Sequence, residues 1–184
     1  MQELALHVLD IAQNSIAAEA TLIEITVTER PCADTLDIVI RDNGRGMDEE
    51  KVKKVLDPFY TTRTTRKVGL GIPLYREAAL STGGDFRIES KVGVGTTVFA
   101  RFGYSHIDRQ PLGDIAGVIH TLITCNPELD FVYTHQIEGE QFVADTREMK
   151  AILSGVSLSD MQVSLWLKEF LQEGISNLHG GVSS

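Results

Sequence analysis

Asp10 and Asn14 stand one helical turn apart, so on a helix both side chains leave the same face. An amide oxygen such as that of Asn14 can ligate a hard cation like Mg2+, which takes oxygen donors and keeps several waters. A carboxylate one turn away can accept a proton from a water or hydroxyl that attacks a phosphoryl group. Taken alone, the pair also describes a solvated helix face. Further on, Asp42-Asn43-Gly44-Arg45-Gly46-Met47 places a carboxylate where an apolar run gives way to a glycine loop. That acid can accept from an exocyclic amine such as N6 of adenine, and the glycines let backbone approach a flat ligand without a Cβ in the way. Ordinary turn chemistry produces the same pattern. A third stretch, Gly69-Leu70-Gly71, leads into a helix whose free N–H groups and positive dipole end suit an anion. Arg63, Arg66 and Lys67 lie just upstream, within reach of a polyphosphate. Neither a GxxxxGK[ST] loop nor a complete dinucleotide fingerprint accompanies it.

The surrounding patterns supply elements that hold these residues. From Glu3 to Ala18, Leu4, Val8, Ile11, Ala12 and Ser15 recur at helical spacing with no glycine or proline. His7, one turn before Asp10, reads as a helix-surface residue or a neighbour of phosphate. Ile23, Ile25 and Val27 alternate with polar residues in a strand over 21–28, and a turn at 31–35 leads to a hairpin partner at 36–40. Asp48 reads as the N-cap of a short helix over 49–56, ended by Pro58. Residues 60–71 read as a mobile loop. A helix over 72–81 stops at Gly83-Gly84, and strands at 85–90 and 96–102 flank the turn 91–95. Beyond Gly103 the patterns give a helix over 111–125, a hairpin from 129–134 and 141–144, and helices over 146–153 and 159–173, with a frayed tail from Gly174. Cys125 reads as a small buried residue and Trp166 as a core anchor of the last helix.

Bulk properties exclude several classes. The chain has 184 residues, 42% of them apolar and 23% charged, values of an ordinary globular protein. Its net charge is −9, with 13 basic and 15 acidic residues up to Gly103 and 4 against 11 after it. A face for a nucleic-acid backbone needs the opposite bias. Cys32 and Cys125 are too few and too far apart for a disulfide framework or a CxxC metal site, which points to a reducing compartment. The start Met1-Gln2-Glu3-Leu4 lacks the marks of a signal peptide, and no apolar run approaches the roughly 18 residues of a membrane span. The expectation is a cytoplasmic protein without nucleic-acid or membrane partners.

Taken in order, the motifs resemble those of the GHKL ATP-binding superfamily, the group of DNA gyrase, Hsp90, histidine kinases and the mismatch-repair protein MutL. Residues 10–21, from Asp10 through Asn14 to Thr21, look like the N box, and 42–47 resembles the G1 box. Asp57-Pro58-Phe59-Tyr60-Thr61-Thr62 is similar to the F box of histidine kinases, and Val68-Gly69-Leu70-Gly71-Ile72-Pro73-Leu74 to the G2 box. Gly93-Val94-Gly95-Thr96-Thr97-Val98 is similar to the closing Gly-x-Gly-Thr segment. The resemblance implies an α+β Bergerat fold, a two-layer sandwich of helices on one face of a mixed, mostly antiparallel sheet. It also implies that Asn14 chelates Mg2+, that Asp42 binds adenine, and that Gly44, Gly46 and Met47 of the G1 segment and Thr96 line the base side. Gly69, Leu70 and Gly71 would offer N–H groups to phosphate, and residues 60–68, with Lys67, would form a lid. Two departures stand out: Asp10 occupies the place of the family's catalytic Glu, and the lid glycines are reduced to Gly69 and Gly71.

These patterns divide the chain into an ATP-binding domain at 1–103 and a small acidic α+β module at 104–184, a candidate partner-binding region. As a whole the chain looks similar to stand-alone ATP-binding proteins of anaerobic bacteria associated with iron-only hydrogenase systems. None of the five histidines, His7, His106, His120, His135 and His179, sits in the acidic helix start of a phosphoacceptor. The expected function is therefore slow hydrolysis of Mg-ATP, with Asp10 as base, or phosphoryl transfer in trans to an unidentified protein partner. The alternative is a non-catalytic ATP-dependent switch, and homodimerisation is left open by the family's habits.

Overall fold

The computed structural model describes residues 2–59 and 71–182. The expected loop and lid, with Arg63, Arg66, Lys67, Gly69 and Leu70, lie outside the described residues. The elements are α1 (Leu4–Ala17), β1 (Leu22–Arg30), β2 (Thr35–Asp42), α2 (Glu49–Leu56), α3 (Gly71–Leu80), β3 (Asp85–Lys91) and β4 (Gly95–Gly103). They continue as α4 (Ile115–Cys125), β5 (Asp130–Ile137), β6 (Glu140–Asp145), α5 (Thr146–Leu153) and α6 (Met161–Val182).

Alternation along the strands decides the layering. Ile23, Ile25 and Val27 of β1, Leu36, Ile38 and Ile40 of β2, and Val98, Ala100 and Phe102 of β4 are all buried and point to one side. On that side they meet the apolar stripe of α1, formed by Leu4, Val8, Ile11 and Ala12, and Ile72, Tyr75 and Ala79 of α3. Full burial of each such aliphatic side chain contributes about 1.5–3 kcal/mol. The six strands run in the order β3-β4-β2-β1-β5-β6, with every neighbouring pair antiparallel except β1 and β5. This is the mixed, mostly antiparallel α+β sandwich expected from the sequence.

Gly103 is the last residue of β4, and the sheet continues past it through β5 and β6. There β5 pairs in parallel with Leu22–Glu29 of β1, and α4 packs between α1 and α6. Residues 111–114 precede α4 rather than beginning it. Their backbone serves α1 instead: the N–H groups of Leu4 and Ala5 donate to the carbonyls of Pro111 and Leu112, both at 2.9 Å. Two of the donors that a helix start leaves unpaired are thereby satisfied.

Three side-chain expectations and one for the tail are corrected. His7 is buried, at 2% exposure, because α3 and residues after β4 cover that face of α1. Its Nε2 meets Gln110 Oε1 at 3.0 Å and its ring lies 5.4 Å from that of Tyr75. Burial pulls its pKa below the ordinary imidazole value, against the opposing pull of Gln110 and Asp10. Cys125, the last residue of α4, is exposed. Trp166 is half exposed and stacks on Phe170 of its own helix, while Leu167, Leu171 and Leu178 form the buried stripe of α6. The tail from Gly174 is helical, because Leu178 is buried and Gly174 sits against the ring of Phe142.

On the helix-free face, Asp37 ties β2 to β4. Its carboxylate accepts two hydrogen bonds from Arg101, at 2.7 and 2.8 Å, and one from Arg30 at 2.9 Å. Burial alone raises the Asp37 pKa, but the two guanidinium groups more than reverse that effect and hold it below the ordinary value of 3.8. The resulting stability is present above that value and is lost as pH falls through the lower folded one. An Asp37→Asn variant should unfold at lower denaturant, by about 2 kcal/mol near neutrality, and that difference should shrink as urea titrations are repeated below pH 3.8.

Candidate functional site

The end of β2 and the start of β4 face each other, with Asp42 registered against Thr96. Asp42 continues the core-facing series Ile38, Ile40, so its carboxylate points at the helix layer. There it is fixed from two sides. Ser15 Oγ of α1 donates to Oδ2 at 2.5 Å, and the Gly44 N–H donates to Oδ1 at 2.8 Å. Each oxygen keeps a further lone pair for a donor from outside the chain.

The loop after Asp42 is clamped on both flanks. Asn43 Oδ1 accepts from the N–H groups of Thr21 and Leu22, at 2.9 and 3.0 Å. The Arg45 N–H donates to the Ala18 carbonyl at 2.9 Å, and the Arg45 carbonyl accepts from the Gly93 N–H at 2.8 Å. Gly46 has φ +72° and approaches so closely that a Cβ there would lie 2.0 Å from the Lys91 carbonyl oxygen. Gly95 has φ +141°, and a Cβ there would lie 2.0 Å from the Asp42 carbonyl oxygen. At both positions side-chain-free backbone is a steric requirement.

A hydroxyl pair lines the β3–β4 side. Ser90 Oγ accepts from the Met47 N–H at 2.8 Å and lies 2.7 Å from Thr96 Oγ1. Asp10 is exposed and Asn14 half buried on α1, and Gly71 at the start of α3 sits where its Cβ would touch that of Asp10 at 3.4 Å. The structure thus brings the N-box helix, the G1 loop, the closing strand and the start of α3 to one end of the sheet. A groove of about 730 Å3 also borders Asp42 and Thr96, but it opens over Val39, Arg41 and Thr97 on the helix-free face. The Asp42 carboxylate, bonded to α1, faces away from it.

A family model described as histidine kinase-, DNA gyrase B-, and HSP90-like ATPase matches residues 1–105. The chain belongs to that ATPase family. Sporulation kinase C of Bacillus subtilis (strain 168) is 32% identical over 88 residues, 48% of this chain and 20% of the kinase. Histidine protein kinase DivJ of Caulobacter vibrioides is 33% identical over 98 residues, 51% of this chain and 16% of that protein. The chain therefore spans one fifth or less of these curated relatives. Among solved structures, the N-terminal domain of a DNA repair protein superposes with a TM-score of 0.57 at 19% identity, over 78% of this chain and 52% of the other. The Aquifex aeolicus MutL ATPase domain, complexed with ADP, gives 0.50 at 18% identity over 84% and 70%. These likenesses concern the fold, and both extend beyond the stretch matched by the family model.

Two site residues carried no role in the sequence reading. Ser15 and Ser90 each occupy a core-facing position beside apolar neighbours, and a polar residue on a buried face is the signal that points to them. Their hydrogen bonds and the two close glycines make the site's rigidity testable. Gly46→Ala should cost about 2 kcal/mol in urea unfolding, from the strained φ and the clash with residue 91. Ser15→Ala should cost about 1 kcal/mol and leave the far-ultraviolet dichroism unchanged.

Proposed function

We propose that the chain binds Mg-ATP at the Asp42 end of the sheet and works as a slow ATPase or as a protein kinase acting in trans. The observation that carries this reading is the Asp42 carboxylate, held at the end of β2 by Ser15 and Gly44 with Thr96 opposite it. That arrangement suits recognition of a base amine: the acceptor is fixed in direction and half buried, and Gly46 keeps the adjoining backbone bare.

The residues fit the implied nucleotide and ion. Asn14 offers an amide oxygen, the kind of donor Mg2+ takes, and such an ion would neutralise charge on the phosphates. Asp10, one turn earlier and exposed, is the carboxylate placed to hold a proton from an attacking hydroxyl. Gly71 opens α3 beside it, and a helix start suits an anionic phosphate. The acidic residues of 104–184 would select a protein partner.

A non-catalytic switch is the second reading, and Asp10 itself favours it. It is one methylene shorter than the Glu that the sequence resemblance assigns to hydrolytic members, so its reach to a lytic water is reduced. Calorimetry and phosphate release decide between the two. Asp42→Asn should weaken ATP binding at least about tenfold, the loss expected for a hydrogen bond to a charged acceptor. Asn14→Ala should abolish the gain in affinity that Mg2+ gives. Asp10→Ala should keep binding and lose phosphate release if the chain is an ATPase, or lose transfer of labelled phosphate to a protein of a cell extract if it is a kinase, whereas a switch does neither in either form. Absence of any heat on adding ATP and Mg2+ to the folded protein would overturn the nucleotide reading.

A further inference from the structure

At the far end of β1, Glu29 follows Ile23, Ile25 and Val27 on the core-facing side and is 6% exposed. Six residues separate it from Ile23, the partner of Asp42, so about 20 Å of strand lies between the two ends. Nothing in nucleotide binding accounts for a buried carboxylate here. Two imidazoles converge on it: His135 of β5, fully buried, with Nε2 at 2.5 Å from Glu29 Oε2, and His179 of α6, with Nε2 at 2.9 Å from the same oxygen. One donor atom from each residue falls within 4.8 Å of the other two. The imidazole rings meet nearly edge to face, at 80°, with centroids 5.4 Å apart, so they approach from different directions.

Each of the three is held from behind. The Tyr133 hydroxyl lies 2.6 Å from His135 Nδ1. His179 Nδ1 donates to the Ile175 carbonyl at 2.9 Å, so a metal ion that displaces the proton between Nε2 and Glu29 would meet the Nε2 lone pair. Glu29 Oε1 accepts from the Tyr104 hydroxyl at 3.2 Å. Outer partners on every ligand are the arrangement that orients side chains toward a metal.

We infer that Glu29, His135 and His179 form a site for a divalent transition-metal ion, for which Zn2+ serves as the probe. Two imidazole nitrogens and one carboxylate oxygen suit zinc, whereas Mg2+ takes oxygen donors and retains its waters. Tetrahedral coordination at about 2.0–2.1 Å places ligand atoms roughly 3.3 Å apart, so the Glu29–histidine contacts open by less than 1 Å. His179 is 46% exposed, which gives the cluster one side toward solvent. Because the ligands come from β1, β5 and α6, the ion fastens the last helix to the sheet. This site stands apart from the nucleotide reading and does not depend on it.

The test uses the full chain free of any histidine tag, stripped with a chelator and titrated with Zn2+ against a chromophoric competitor. One Zn2+ per chain should bind, and saturating Zn2+ should raise the melting temperature. Co2+ should give the visible d–d bands of a four-coordinate site, and excess Mg2+ should not displace it. His179→Ala, at a half-exposed position, should weaken Zn2+ binding at least about tenfold and remove the Co2+ bands, and the near-isosteric Glu29→Gln should do the same. Circular dichroism establishes that each variant is folded, and ATP titration runs alongside as a separate readout. The inference is overturned if folded protein binds less than one Zn2+ per chain, or if both variants bind it as the parent does.

Discussion

The carboxylate of Asp42 is the point on which the site's geometry turns. A strand end is ordinarily free to fray, and an aspartate there would sample several rotamers. Here the Ser15 hydroxyl pins it to α1 and the Gly44 amide pins it to its own loop. The first of these bonds joins the helix layer to the sheet at the rim where the two diverge. The loop can then run under the β3–β4 turn only because Gly46 and Gly95 let backbone pass within contact of backbone. Removing any one of these contacts loosens the same acceptor.

Behind the rim, stiffness comes from the sheet. The strands that carry Asp42 and Thr96 are hydrogen-bonded along their length and joined again on the other face by the Asp37–Arg101 fork. That ion pair lies on the helix-free side, so the β2–β4 pair is braced on both faces: by apolar packing above and by charge below. Such bracing suits a site whose ligand must meet a preformed acceptor, since little order is left to be acquired on binding.

Much of this was legible in the residues. Period-two runs gave β1 and β2, helical spacing gave α1, and Asp48 gave the start of α2 through the bond its side chain accepts from the Lys51 N–H. Five ordered motifs gave the fold. What escaped depends on partners distant in the chain. His7 is buried by Tyr75 and Gln110, which no local pattern connects to it. The helical tail is ordered by Phe142 and Glu29, about 30 and 150 residues earlier. Trp166 is exposed because the residues 165, 166, 170 and 171 admit two helix phases, and packing against α4, β5 and β6 selects the one that buries Leu167 and Leu171. Glu29 and His135 lie just past the ends expected for their strands, and only the parallel pairing of β1 with β5 shows that they meet.

That pairing bears on how the chain can be divided. β1 is an interior strand only because β5 lies along it from Leu22 to Glu29. A fragment ending with the family-matching stretch would leave β1 as a bare margin, its amides and carbonyls open along eight residues, and α1 stripped of α4. Such a rim invites strand addition from another molecule, so excised material would tend to self-associate. The C-terminal residues therefore do for the fold what a chaperone would otherwise have to do.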